Sequence, residues 1–418
     1  MKRIAFICVL GLNLFFTCSI AFSETTLEIS HWWTSKGESK AIHVIKKAFE
    51  EKGFHWNDYS IEGGAGHKMM PILKAKVADG SSPDAVQVYI GPNTWALAEE
   101  GFLINLNDIA SKGSWHKILP GVIDHMIRYN GDYVAVPFNA HRVNYMWINP
   151  EIFKKSNAKI PTSWDEFFIE AEKIKKAGFI PLALGGQAWQ EATLFECVLL
   201  NIGGKSFHHK AFIEYDLHTL KSDTMLTVFQ TMRKIKQYID SDSNGRSWDD
   251  TTSMVMKEKA AMQIMGDWAK GEFLASGKKP GIDFICKPAP GTDDLFLMDT
   301  DTFVFFKSND KKIQDAQQAL AEIIISKEIQ KQFNQLKGSI PARLDIPSND
   351  FDACACESMT DFSKAATLDN IIPSMAYYQS CHSKLTEIII NLISTFFNST
   401  MSEKEAVLKL TAIIMADM

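Results

Sequence analysis

The sequence is short of the features that mark nucleic-acid, nucleotide and metal proteins. Lysine and arginine total 44 against 50 acids, so the chain lacks the basic stripe of a nucleic-acid binder. The glycine-rich turn Gly63-Gly64-Ala65-Gly66 is followed by no lysine–serine/threonine pair and has no dinucleotide spacing, which excludes nucleotide binding. Cysteine is sparse, with 7 in the chain, and Cys354-Ala355-Cys356 lacks the paired spacing of a zinc knuckle. No metal and no cofactor are expected. Beyond the N-terminus no apolar run reaches spanning length, since Ile388 to Phe397 is interrupted by Asn391 and Ser394.

The N-terminus carries an address. Met1-Lys2-Arg3 is basic, Ile4 to Phe16 is apolar, and Ala21-Phe22-Ser23 has the small-x-small form of a cleavage site. Residues 1–23 therefore read as a signal peptide, with the rest exported. Cys18, behind the poor lipobox Phe15-Phe16-Thr17, belongs to the discarded segment. Its removal makes the formal charge of −6 two units more negative, and the remainder is long enough for two domains. Five cysteines survive: Cys197, Cys286, Cys354, Cys356 and Cys381. In an oxidising compartment a disulfide among the last three is expected, Cys354–Cys381 or Cys356–Cys381, and sequence does not choose between them.

What is present is strand alternating with helix. Residues 26–30 form a strand; residues 38–51 form a helix with Ala41, Ile42, Ile45, Ala48 and Phe49 on one face. Tyr59-Ser60-Ile61 and Asp84 to Tyr89 are two more strands, each followed by helical periodicity. That order predicts an α/β fold with a parallel sheet covered on both faces. Asn130-Gly131 is a hairpin turn, and strands follow at Tyr133–Asn139 and Val143–Asn149. Ser163 and Glu166 form the capping box of a helix whose stripe is Trp164, Phe167, Phe168, Ala171 and Ile174.

Trp32-Trp33 stands where the first strand turns into the first helix. Two adjacent indoles there cannot both enter the same core. One flat face is either presented at the carboxyl end of the strand, where α/β folds place ligands, or packed away elsewhere. A flat apolar ring beside hydroxyl groups suits a sugar. His67, at the tip of the glycine turn, reads as a ligand contact, the glycines allowing close backbone approach. Trp147 and Trp164 lie in regular apolar patterns and are assigned to packing; Trp189 and Gln190 stay open.

Four blocks carry a resemblance: YNGDYVAVPFNAHRVNYMWINPEIF, IPTSWDEFFIEAEKIKKAGFIPLALGG, KEKAAMQIMGDWA and FNQLKGSIPAR. In this order the chain resembles the extracytoplasmic solute-binding proteins of ABC-type sugar importers, and within them the glucose- or mannose-binding branch. The resemblance covers nearly the whole mature chain. It implies a two-lobe periplasmic-binding-protein fold with a multi-crossing hinge, closing on a sugar and handing it to the membrane subunits of a transporter. It further implies lobe 1 from 24–135 plus 298–340 and lobe 2 from 136–297 plus 341–418, with crossings near 133–138, 288–298 and 338–346. A monomer located in the periplasm is expected.

Carried over where this chain matches, the implied sugar contacts are Trp32, Trp33, Glu38, His67, Trp248, Trp268, Asp301, Lys337 and His382. The chemistry agrees: indoles stack on pyranose faces, while a carboxylate and an ammonium hydrogen-bond hydroxyls more strongly than neutral groups do. Each also has an ordinary reading. Asp301 lies in turn-prone Asp299-Thr300-Asp301-Thr302, Lys337 ends a helix, His382 heads one, and Glu38 sits in a first turn where acids are favoured. One departure stands out. Some members of the branch carry a lysine before the third helix, where this chain has Gln87-Val88-Tyr89-Ile90-Gly91-Pro92. Its absence puts the particular sugar in doubt, and His67 is a substitute donor on this reading. The competing functions are an exported glycosidase using two of Glu38, Glu191, Asp249 and Asp301, none in a recognisable motif, and a ligand carrier for a chemoreceptor.

Overall fold

The computed structural model describes residues 25–62, 66 and 68–418, so the expected signal segment 1–23 and His67 lie outside the described residues. The first strands are β1 (Thr26–His31), β2 (His55–Ser60) and β3 (Ala85–Tyr89). A hairpin, β4 (Arg128–Tyr129) and β5 (Asp132–Tyr133), precedes β6 (Val136–Pro137), β7 (Asn139–Arg142) and β8 (Tyr145–Ile148). There follow β9 (Ile180–Ala183), β10 (Ala260–Ile264), β11 (Ile285–Pro288), β12 (Phe296–Asp299), β13 (Asp301–Phe305), β14 (Ile340–Pro341) and β15 (Ile371–Pro373).

These strands form three main sheets. The first has the order β2-β1-β3-β13-β6, with β1, β2 and β3 parallel and β13 antiparallel to β3. The second has the order β11-β8-β10-β9, with β9 and β10 parallel. The third, β14-β7-β12-β15, lies between them in sequence: β6 runs into β7 and β12 into β13 across a single residue each. The result is two α/β halves tied together by a small sheet.

Several elements differ from expectation. The expected single strand Tyr133–Asn139 is three short ones, because Pro137 ends pairing in the first sheet and Asn139 opens pairing in the third. β2 is longer than read, since His55-Trp56-Asn57-Asp58 has only one apolar residue and sits at the sheet edge. The capping box at Ser163 is half made. Ser163 accepts from the Glu166 N–H at 3.2 Å, but the Glu166 carboxylate turns to the amide and hydroxyl of Thr162, two donors instead of one. A complete box occurs at Ser35 and Glu38, opening the helix Lys36–Glu50. The hairpin turn is as read, with Asn130 and Gly131 both at positive φ, 51° and 92°.

The disulfide expectation is corrected. The bridge joins Cys286 on β11 to Cys354 at the start of helix Ala353–Thr367, Cα to Cα 6.1 Å, leaving Cys356 and Cys381 free. Closeness in sequence misled: Cys381 is buried with its thiol on the Phe212 carbonyl, whereas β11 passes beside the helix that carries Cys354. The bridge closes a sequence separation of 68 residues. Replacing both cysteines by serine should therefore lower unfolding free energy by about 2–4 kcal/mol, read from denaturant titration of oxidised protein against the double variant. Equal midpoints would show that the bond is not formed in solution.

Candidate functional site

Strand ends converge on one cavity of about 540 Å³. From the first half, β1 delivers Trp32 just past its carboxyl end, β2 ends at Ser60, β3 ends at Tyr89, and antiparallel β13 begins at Asp301, paired with Tyr89. The second half contributes in the same way: Gln187 and Trp189 follow β9, and Trp268 follows β10. Trp248, the first residue of helix Trp248–Met256, and Tyr377, beyond β15, complete that wall. Carboxyl ends of parallel strands collect side chains here because the helices that follow leave their starting turns open.

The two neighbouring indoles part company. Trp32 faces the cavity, its ring 5.1 Å from Tyr89. Gly66, at φ +69°, lies against it so closely that an added Cβ would sit 2.9 Å from the indole. Trp33 packs in the core against Phe138 and Phe333, at 5.1 and 5.2 Å between rings, and is 1% exposed although it adjoins the cavity wall. Across the cleft Trp268 meets Tyr377 at 5.3 Å, His141 at 5.1 Å and Trp189 at 6.4 Å. Residue 266 must be glycine, since a Cβ there would fall 2.2 Å from the Trp268 ring. Trp147 and Trp164 are buried in the core.

The floor is a buried polar chain. The Trp32 amide donates to Gln87 Oε1 at 3.0 Å, and Gln87 Nε2 donates to Asp301 Oδ1 at 2.8 Å. Asp301 Oδ2 accepts from Asn139 Nδ2 at 2.9 Å and faces His141 Nε2 at 3.0 Å. The other nitrogen of His141 bonds Asp267, whose second oxygen accepts the Arg142 amide at 3.0 Å. With a carboxylate on each ring nitrogen, His141 is held as imidazolium. Burial opposes that charge, but the Asp267 charge and the hydrogen bonds to Asp267 and Asp301 outweigh it and raise the group to about 9. Burial likewise pulls Asp301 upward, yet the hydrogen bond and charge of His141, with Lys337 and Asn139, bring it below the usual carboxylate range.

Lys337, the last residue of its helix, sits 3.0 Å from Glu38 Oε1 and 5.9 Å from the Trp33 ring centroid. Burial disfavours its charge, but Glu38, Asp301 and Asp267 raise it above the ordinary lysine value. Glu38 thus has two tasks, one oxygen capping the helix at the Ser35 amide and the other holding Lys337.

Of the sequence-derived site residues, Trp32, Trp33, Glu38, Trp248, Trp268, Asp301 and Lys337 line the cavity. His382 is not among the residues that line it. It caps helix Ser383–Asn398, pairs with Asp417, and its side chain is 49% exposed. His67 lies outside the described residues. Sequence reasoning passed over Tyr89, His141, Gln187, Asp299 and Tyr377. Tyr89 was readable by the strand-end rule that picked out Trp32, and Asp299 by alternation with Asp301. Tyr377 gave no signal, because its place is set from afar. Buried Glu196 accepts the Met375 and Ala376 amides at 2.8 and 3.0 Å, and Thr193 bonds the Tyr377 hydroxyl at 2.9 Å. One cluster of three potential metal ligands occurs among the described residues, His141, Asp299 and Asp301. Amide N–H groups of Gln87, Asn139 and Gln379 point at its carboxyl oxygens and occupy lone pairs that a cation would need.

The imidazolium has a measurable consequence. Its value is raised on folding from 6.5, so its stabilising contribution is fully present below about pH 6.5 and is lost as pH rises through about 9. Unfolding free energy measured across that window should fall more steeply for the native sequence than for His141→Gln; parallel profiles would show that His141 is neutral.

A mixed α/β chain in two halves, joined by a small sheet and enclosing a cleft of aromatic and charged side chains, has the architecture of the two-lobed solute-binding proteins. Solved structures share it. A chitin oligosaccharide binding protein superposes with TM-score 0.80 at 18% identity, over 94% of this chain and 98% of that one. The bacterial solute receptor AcbH, described as having an exclusive preference for b-D-galactopyranose, gives 0.79 at 17% identity, over 94% and 98%. A protein of Brucella suis biovar 1 (strain 1330) described as a probable sugar-binding periplasmic protein is 40% identical over 396 residues, 95% of this chain and 93% of its own. Residues 33–331 match the family described as bacterial extracellular solute-binding protein, and the chain belongs to that family.

Proposed function

We propose that the protein is the exported, non-catalytic binding component of an ABC-type importer, and that its ligand is a sugar, a hexose such as glucose or a close relative. The observation that carries this reading is the meeting of indole faces with a hydrogen-bonding floor in one cavity. Trp32 on one side and Trp248 and Trp268 on the other stack on the ring, while Asp301 accepts from and Lys337 donates to its hydroxyls. A buried floor of this kind rejects analogues that leave its polar groups unpaired. The lobes are 24–135 plus 298–340 and 136–297 plus 341–418, which keeps the first and second sheets in different lobes apart from β6. Closure of the two then presents a surface to the membrane subunits. The protein acts as a monomer in the periplasm.

A second reading is a small oligosaccharide. Trp32, Trp189, Trp248 and Trp268 offer more indole faces than the two sides of one pyranose can use. Calorimetry with glucose, mannose, galactose and maltose separates the two. A hexose that binds at least tenfold more tightly than maltose supports the first reading, the reverse supports the second, and no heat with any of the four contradicts the sugar assignment.

A further inference from the structure

Asp299 closes β12 and faces the cavity while 3% exposed. It pairs in register with His141 on β7, and its side chain stands with those of His141 and Asp301 in a cluster whose ligand atoms lie within 4.8 Å of one another. Both nearby cations are already engaged: Lys337 is 3.0 Å from Glu38, and His141 lies between Asp267 and Asp301. Among the described residues the Asp299 side chain is met by uncharged donors, Gln379 Nε2 on Oδ1 at 2.6 Å and the Thr300 amide. A buried carboxylate beside a like charge, with the cations spent elsewhere, is driven to take up a proton. The other titratable groups around it are Tyr89 from β3 and Tyr377 from the turn after β15, both pushed up by burial and therefore neutral. Burial and the Asp301 charge raise Asp299 well above the carboxylate range, against the attraction of His141 and Lys337 and the Thr300 amide.

We propose that Asp299 meets the ligand as a neutral carboxylic acid, donating a hydrogen bond from the oxygen not held by Gln379 to an acceptor oxygen of the bound molecule. The ligand half of this proposal rests on the sugar reading above. Two carboxyl groups on either side of Thr300 then play opposite parts. Asp301, with three of its roughly four lone-pair directions filled by Gln87, Asn139 and His141, accepts from one ligand hydroxyl. Asp299 donates to a neighbouring ligand oxygen. The floor therefore reads an ordered donor–acceptor pair and fixes which way round the ring lies.

The test has two arms. Isotope-edited infrared difference spectroscopy of the ligand-free protein should show the carbonyl stretch of a protonated carboxyl near neutral pH, absent from Asp299→Asn. In calorimetry with the tightest sugar of the panel, Asp299→Ala should bind more than tenfold more weakly. Asp299→Asn, whose amide can still donate, should recover most of that loss while Asp301→Asn does not. Absence of the infrared band overturns the proposal even if sugar binds. So does an Asp299→Asn variant that binds no better than Asp299→Ala, provided both keep the native melting transition. If the band is present and no sugar binds the native sequence, the sugar reading fails, and the donor role toward a sugar fails with it.

Discussion

Trp268→Ala should weaken sugar binding by about 2–3 kcal/mol, roughly 30- to 150-fold in Kd, with a much smaller change in stability. The ring is held rather than mobile. Gly266 gives it room, Tyr377 and His141 pack on it at 5.3 and 5.1 Å, and Trp189 stands behind. A ring fixed before the ligand arrives loses little conformational freedom on binding, so most of its stacking appears as affinity. Trp33→Ala should behave in the opposite way. That indole packs among Phe138, Phe303 and Phe333, and its removal should cost about 3–5 kcal/mol of folding stability. Calorimetry and denaturant unfolding on both variants separate the two roles. Equal affinity losses for the two would contradict the division of labour between adjacent tryptophans.

Asp301→Ala should lower unfolding free energy by about 3–5 kcal/mol and abolish sugar binding. The carboxylate receives Gln87 and Asn139 and faces His141, so its loss leaves a buried imidazolium with one partner and two amides without an acceptor. The disturbance also reaches the cleft wall, because Gln87 holds the Trp32 amide with its other end. A double-mutant cycle with Gln87→Ala should show strong coupling, since the two side chains are links in one chain. A loss below about 1 kcal/mol would mean that the network contributes nothing net.

Much of this was legible in the residues, and for identifiable reasons. Strand–helix alternation declares a parallel sheet through local periodicity, and Trp32 announces itself by standing at a strand end. Lys337 and Asp301 were reachable through the resemblance, which carries long-range information that spacing lacks. What stayed hidden was whatever depends on two distant segments meeting. The Cys286–Cys354 bond needs β11 beside a helix 68 residues away. His141 looks like an ordinary strand residue until Asp267 and Asp301 arrive on either side. Tyr377, in a turn, owes its position to Glu196 and Thr193 on the distant helix Ala188–Phe212. That His382 caps a helix was open in the sequence, where a histidine beside an implied site and a histidine heading a helix look identical. Gln87, read as the loss of a donor, proves to be a connector between Trp32 and Asp301.

The most direct test is a crystal structure of the protein grown with whichever panel sugar binds tightest. The expected density is a pyranose wedged between the indoles of residues 32 and 268, with hydroxyls in reach of Asp301 and Lys337. A sugar lodged anywhere else, or one that leaves those four side chains untouched, would contradict the account.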